Sequence, residues 1–136
     1  MKPSICLTFK VHQPNQFRLY RFFDIGNDSH YYDDFANRTM LKKVSANSFF
    51  PMNDLLMKLI AESKGKLKVA FAISGTVLDQ MDRYCPELLD SFKALYDTGC
   101  VEFIAEPYYH SLAAVQDLAE FEHQVEKHRQ ALKEYF

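Results

Sequence analysis

Residues 66–76 read KLKVAFAISGT, and this stretch decides the fold class. Val69, Phe71 and Ile73 occupy every second position, which is the period of a β-strand with one apolar face. A Ser-Gly-Thr triplet then ends the strand. The other face carries lysine, alanine and serine, whereas a strand buried under helices on both sides tends toward a continuous apolar run. The stretch therefore predicts a strand with two chemically different faces.

Two further stretches show the same pattern. Residues 4–11 read SICLTFKV, and residues 100–107 read CVEFIAEP. In the last of these, Val101, Phe103 and Ala105 lie opposite Glu102, Ile104 and Glu106. Both stretches are predicted to be strands with one apolar face.

Helical patterns separate and follow these strands. We predict helices from Pro51 to just before Gly65, from Pro86 to just before Gly99, and a short turn of helix at 77–81. In the last helix Asp117 is the predicted N-cap, Glu120 completes a capping box, and the buried stripe consists of Leu118, Phe121, Val125, Leu132 and Tyr135. Strands that alternate with helices indicate parallel pairing through right-handed crossovers, so the fold class is α/β.

Residues 13–50 show no sustained period and are predicted to form one long aromatic-rich loop. Loops of this length inside a compact domain are usually functional. The aromatic side chains either stack on a ligand or pack the loop onto its own domain, and both readings stay open.

Polar groups on the second strand faces point to a barrel. A closed (β/α) barrel turns one strand face to outer helices and the other to a lumen, with its active site at the strand carboxyl ends. Charges in such a lumen must be paired, so Lys10, His12, Glu102 and Glu106 are predicted to join one hydrogen-bonded network. That network either forms a substrate site or holds strand register. Three βα units are too few for a barrel, which predicts that residues 1–136 are the first part of a single larger catalytic domain.

Composition narrows the function classes. With 16 basic and 18 acidic residues the chain has no basic stripe, which argues against a nucleic-acid partner. The N-terminus is too short and polar for a signal or spanning segment, so we expect a cytoplasmic protein with no membrane partner. Cys6, Cys85 and Cys100 have no metal-ligand spacing and are predicted to be buried free thiols.

Two motifs carry a family resemblance. Val11-His12-Gln13-Pro14 ends the first strand, and residues 99–111 read GCVEFIAEPYYHS. The chain resembles the start of family 57 glycoside hydrolases, which carry a His-Gln-Pro signature and then Gly-x-x-Glu leading to Tyr-x-His-Pro. Here Ser111 stands where proline is usual, and Glu106 where a small residue is common. The likeness spans the chain but covers about the first third of a typical member.

The resemblance implies an incomplete (β/α)7 barrel that acts on α-glucans with retention of anomeric configuration. The family's nucleophile glutamate and acid/base aspartate would lie beyond Phe136, so no catalytic residue is assigned within this chain and the chain alone is expected to be inactive. The remainder of the parent chain is the expected partner, and neither cofactor nor metal is implied. The implied substrate-site residues are His12, Gln13, Glu102, Glu106, Tyr109 and His110.

The implied roles differ among these residues. His12 would donate a hydrogen bond to a sugar hydroxyl, although a core histidine that caps a strand has the same pattern. Tyr109 and His110 would offer a stacking ring beside a polar donor. Glu102 would support the catalytic carboxylate, and Glu106 has no assigned part.

Two rival functions remain open. A metal-dependent polysaccharide deacetylase or α-mannosidase-like barrel would use His12 and His110 as ligands, but Gln13-Pro14 occupies the place of the usual aspartate. A noncatalytic glycan-binding module would bind maltooligosaccharides saturably as the isolated 136 residues, whereas part of a barrel should bind them weakly or not at all.

Overall fold

The computed structural model describes residues 5–136. Its sheet has the strands β1 (Thr8–Val11), β2 (Val69–Ile73) and β3 (Val101–Phe103), in the order β1-β2-β3. Both pairs are parallel, with Phe9 opposite Phe71 and Phe71 opposite Phe103. The predicted α/β class with parallel strands is confirmed. Ser4, the predicted first residue of β1, lies outside the described residues.

Five α-helices accompany this sheet in the described part of the chain. They are α1 (Asp34–Val44), α2 (Phe50–Glu62), α3 (Gly75–Tyr84), α4 (Pro86–Asp97) and α5 (Leu118–Tyr135). A π-helical stretch, Ser45–Phe49, joins α1 directly to α2. Among residues 5–136, none of the helices has the length and apolar character needed to cross a membrane.

The prediction of a loop over residues 13–50 is wrong in its second half. Residues 34–50 are helical, and the Asp33 side chain caps α1 by accepting a hydrogen bond from the Ala36 backbone N–H at 2.8 Å. The buried face of this helical run is largely polar, because it consists of Asn37, Leu41 and Ser45. A helix that buries an amide and a hydroxyl gives no apolar period to detect.

Helices cover one face of the sheet. Val69, Phe71 and Ile73 are buried, and the Phe71 ring packs edge-on against Phe92 of α4 with centroids 5.3 Å apart. The opposite face, which includes Lys10 and Glu102, stays exposed. The two predicted strand faces are therefore present, one packed under helices and one exposed.

Strand β3 is shorter than predicted because a histidine separates it from β2. Ile104 N–H donates to Phe71 O at 2.8 Å, and in this parallel register the next bond would join Glu106 N–H to Ile73 O. Instead His128 of α5 bridges these two groups. Its Nε2 lies 2.6 Å from Ile73 O, and Glu106 N–H donates to its Nδ1 at 3.3 Å. The imidazole therefore ends the ladder and fixes the end of β3.

The predicted buried stripe of α5 is confirmed only in part. Leu132 and Tyr135 are half-buried and pack against the core, whereas Leu118 is 64% exposed. The fully buried residues of α5 are Gln124, His128 and Ala131. The predicted N-cap is confirmed, since Asp117 accepts a hydrogen bond from Glu120 N–H at 3.0 Å. The Glu120 carboxylate accepts instead from the Gln124 amide at 2.6 Å. As in α1, the buried face of the helix carries polar residues. A search for apolar residues at helical spacing therefore does not identify which face is buried.

The cysteines only partly follow the prediction. Cys85 and Cys100 are buried free thiols, as predicted, but Cys6 is exposed. It lies two residues before β1, and its neighbours Ile5 and Leu7 are themselves exposed.

Candidate functional site

Two histidines meet at the carboxyl ends of the strands. His12 directly follows β1, and its ring centroid lies 4.4 Å from that of His110, in the loop after β3. His12 Nδ1 lies 2.7 Å from the Oγ of Ser74, the residue that follows β2. Ser74 Oγ in turn lies 3.0 Å from Thr76 Oγ1. The structure thus brings together the two predicted histidines and adds a serine and a threonine.

His110 has an unusual backbone. Its φ of 54° is in the left-handed region, which non-glycine residues seldom adopt. Such conformations cluster at functional sites, where the surrounding structure holds them in place. Here the turn presents the His110 ring to His12.

The environment favours the neutral form of His12. Burial lowers its pKa below the ordinary 6.5, and nearby His110 and Lys10 lower it further, while Glu106 opposes them. Nδ1 accepts a hydrogen bond if Ser74 is the donor, and Thr76 can in turn donate to Ser74. In that arrangement the Nε2–H of a neutral imidazole remains a donor for another partner.

We expect His12 to titrate below pH 6.5. Because the folded-state pKa is lowered, the neutral ring contributes stability fully above 6.5 and loses that contribution as pH falls through the folded pKa. An NMR titration of the His12 Cε1–H resonance measures the midpoint. The variant His110→Asn should move it toward 6.5, because it removes one of the groups that lower the His12 pKa. A midpoint at or above 6.5 in the unaltered chain would contradict this account.

Glu106 forms an ion pair with Lys10 beside the histidines. Its side chain is only 12% exposed, and its backbone N–H is held by His128. Glu106 Oε1 is buried and, among the described residues, has no hydrogen-bond donor. A buried carboxylate oxygen without a donor is costly unless a ligand or water supplies one. This oxygen of Glu106 is therefore unpaired among the described residues, and the charge of Glu106 acts on the His12 ring.

Glu102 lies apart from these groups. It pairs in register with Ala70 near the amino end of the sheet and is exposed. Glu106 lies four positions further along the extended chain, a span of about 13 Å at the usual rise per residue of a strand. The prediction of one network is therefore wrong for Glu102. An even spacing along a strand places two side chains on the same face of the sheet, but it does not place them at the same end of the strand.

The tyrosines after β3 divide into a buried and an exposed one. The Tyr108 hydroxyl donates to Asp79 Oδ1 at 2.6 Å, and its pKa is raised by burial and by this bond. Tyr109 is 49% exposed, and its hydroxyl contacts Lys127 Nζ. Of the two rings, Tyr109 is the one that remains available to a ligand.

Gln13 is held in place through its backbone carbonyl. Its carbonyl accepts a hydrogen bond from Gln80 Nε2 at 3.0 Å. Asn37 holds the following segment in the same way, since Gln16 N–H donates to Asn37 Oδ1 at 2.7 Å. Sequence reasoning missed Gln80, Asn37 and His128, because no spacing marks a buried polar side chain on a helix.

The aromatic loop is more exposed than packing onto its own domain would require. Exposed fractions are 71% for Phe17, 79% for Phe22, 83% for Phe23 and 80% for Phe35. Phe22 and Phe23 contact each other edge-on with centroids 5.6 Å apart. The packing interpretation is therefore wrong for these rings.

No metal centre is formed by the described side chains. Within residues 5–136, no cluster of three or more His, Cys, Asp or Glu residues has an arrangement that could hold a metal ion.

Parallel strands, helices on one face and polar groups at the strand carboxyl ends define an α/β domain. The model of the family described as Glycosyl hydrolase family 57 matches residues 6–136, and the chain belongs to this family. The resemblance seen in the two sequence motifs is thereby confirmed.

Two known proteins are similar to this chain. A protein named "Putative alpha-amylase" from Methanocaldococcus jannaschii is 35% identical, over 97% of this chain and 28% of that protein. The crystal structure of 4-alpha-glucanotransferase from Thermococcus litoralis matches with a TM-score of 0.66 and 18% identity, over 96% of this chain and 17% of that one. At this identity the second match shows a shared fold. The chain thus spans less than a third of either protein.

Proposed function

We propose that these residues form part of the substrate site of a retaining enzyme that hydrolyses or transfers glycosyl groups of α-glucans, such as starch, glycogen or maltooligosaccharides. The observation that carries the proposal is the meeting of His12, held by Ser74, with His110 at the strand carboxyl ends. Family membership and the names of the two relatives agree with this substrate class.

The side chains around His12 and His110 can form hydrogen bonds and stacking contacts with a neutral sugar. A glucosyl unit presents hydroxyl groups that both donate and accept hydrogen bonds. His12 Nε2–H supplies a donor, and the Glu106 carboxylate supplies an acceptor. The half-exposed Tyr109 ring offers an apolar surface for a pyranose face. Binding and orientation are therefore the roles assigned to His12, Gln13, Glu106, Tyr109 and His110.

The bond-breaking groups are not assigned to these residues. Retention uses two carboxyl groups about 5–5.5 Å apart, one as nucleophile and one as acid and base. Glu106 is engaged by Lys10, and Glu102 lies at the other end of the sheet. We infer that the nucleophile glutamate and the acid/base aspartate belong to a longer protein of which these 136 residues are one part.

Activity assays test the proposal. In the longer protein, His12→Ala should lower kcat/KM for maltoheptaose about 100-fold, the usual effect of losing one donor to the reacting sugar. His123→Ala is the matched control, because His123 is exposed on α5, and it should leave kcat/KM unchanged. The isolated chain should release no reducing sugar. Turnover by the isolated chain that Glu102→Gln abolishes, or a His12→Ala effect below about twofold, would refute the proposal.

A further inference from the structure

Helix α5 holds the loop that carries His110. After His110, the Ser111 hydroxyl donates to Gln124 Oε1 at 2.8 Å. Before it, the Tyr109 hydroxyl accepts a hydrogen bond from Lys127 Nζ. Gln124 and Lys127 are three positions apart, so both project from the same side of the helix. The loop is therefore attached to α5 by a side-chain hydrogen bond on each side of His110.

The ammonium group of Lys127 is held by two tyrosine rings. Its Nζ lies 4.0 Å from the centroid of the Tyr108 ring and 4.5 Å from that of Tyr109. Contacts of this kind attract a cation to the electron-rich face of a ring. Tyr108 is a firm support, because it is 5% exposed and its hydroxyl donates to Asp79 at 2.6 Å. The position of the ammonium group therefore depends on a ring that is anchored in the core.

The contact with Lys127 determines what the Tyr109 hydroxyl can offer a ligand. An ammonium group carries donors only, so the hydroxyl must act as the acceptor of this hydrogen bond. Its single proton remains for another acceptor, and no described side chain or backbone carbonyl takes it. Because Tyr109 is half-exposed, that acceptor can come from outside the chain. An oxygen of a sugar is such an acceptor.

We propose that Lys127 is a positioning residue for the substrate site, which holds the Tyr109 ring in place and leaves its hydroxyl proton for the bound sugar. The inference rests on the proposed function and adds to it a residue of α5 that no sequence motif indicates. Lys127 acts through Tyr109, so it has no effect of its own on the sugar once that tyrosine is removed.

Steady-state kinetics of the longer protein with maltoheptaose test this role. Lys127→Met keeps the length of the side chain but removes its charge and donors. It should raise KM about fivefold, the effect of one weakened hydrogen bond, with kcat nearly unchanged because binding alone is affected. Tyr109→Ala should raise KM about tenfold, since it removes the ring and its hydroxyl. In the Tyr109→Ala background, Lys127→Met should have no further effect, because the two side chains act as one unit.

Two further variants serve as controls. Lys127→Arg retains a cation and N–H donors and should restore KM to within about twofold of the unaltered protein. Lys133→Met makes the same replacement at an exposed position on the same helix and should leave KM unchanged. If Lys127→Met does not fold, as judged by chemical denaturation, Lys127→Gln replaces it in the same comparison.

The outcomes separate this inference from the proposed function. An equal rise in KM with and without Tyr109 would show that Lys127 does not act through the tyrosine and would overturn the inference. An unchanged KM in Lys127→Met, beside a raised KM in Tyr109→Ala, would overturn it as well. Both results leave the proposed function standing. That function fails instead if His12→Ala and Tyr109→Ala both retain the kcat/KM of the unaltered protein.

Discussion

Replacing His128 with leucine should lower the free energy of unfolding by about 3 kcal/mol, because two buried backbone groups lose their partner at once. His128 is 0% exposed, and its ring joins Ile73 O to Glu106 N–H. Leucine fills a similar space but offers neither a donor nor an acceptor. The loss should also release the end of β3, and with it Glu106 and its ion pair with Lys10. Chemical denaturation measures the free energy.

His123→Leu provides the matched control for this change. His123 is exposed on the same helix, so the same chemical replacement there should alter stability by less than about 0.5 kcal/mol. A loss below about 1 kcal/mol in His128→Leu would mean that Glu106 N–H bonds Ile73 O directly once the ring is gone. That result would contradict the role assigned to His128 in separating the two strands.

Replacing Gly75 with alanine should cost about 3 kcal/mol or more, through overpacking against Tyr108. Gly75 begins α3, and a Cβ atom there would lie under 3.0 Å from atoms of the Tyr108 ring. The ring cannot move easily, because it is 5% exposed and its hydroxyl is bonded to Asp79. Its displacement should also carry His110 away from His12, so both the unfolding transition and the His12 resonance should change.

Asp82→Ala is the control for this glycine substitution. It introduces alanine on the exposed side of α3 and should change stability by less than about 0.5 kcal/mol. A Gly75→Ala variant that is as stable as Asp82→Ala, with unaltered His12 and His110 resonances, would contradict the close packing of α3 on Tyr108.

The strand pattern was the part of the fold that the sequence could predict. Strict alternation in residues 66–74 and around Lys10 placed His12, Ser74 and Glu106 at the same end of a parallel sheet. Two motifs then identified the histidines that meet there. These features are local, because a few consecutive residues are enough to show which side chains share a strand face and where the strand ends.

Features that depend on buried polar contacts could not be predicted in this way. Helix α1 buries Asn37 and Ser45, and α5 buries Gln124 and His128, so neither inner face has an apolar period. The early end of β3 depends on His128, which is 22 residues away from Glu106 along the chain. The position of Glu102 near the amino end of the sheet likewise depends on the strand register, which the residue type does not reveal.

The proposed function requires that the strand carboxyl ends around His12 and His110 bind an α-glucan. The test is a crystal structure of the longer protein soaked with maltotriose. We expect a glucosyl unit within hydrogen-bonding distance of His12 Nε2, with Glu106 or Tyr109 also in contact. A sugar bound only elsewhere, or a metal ion held between the two histidines in place of sugar, would contradict it.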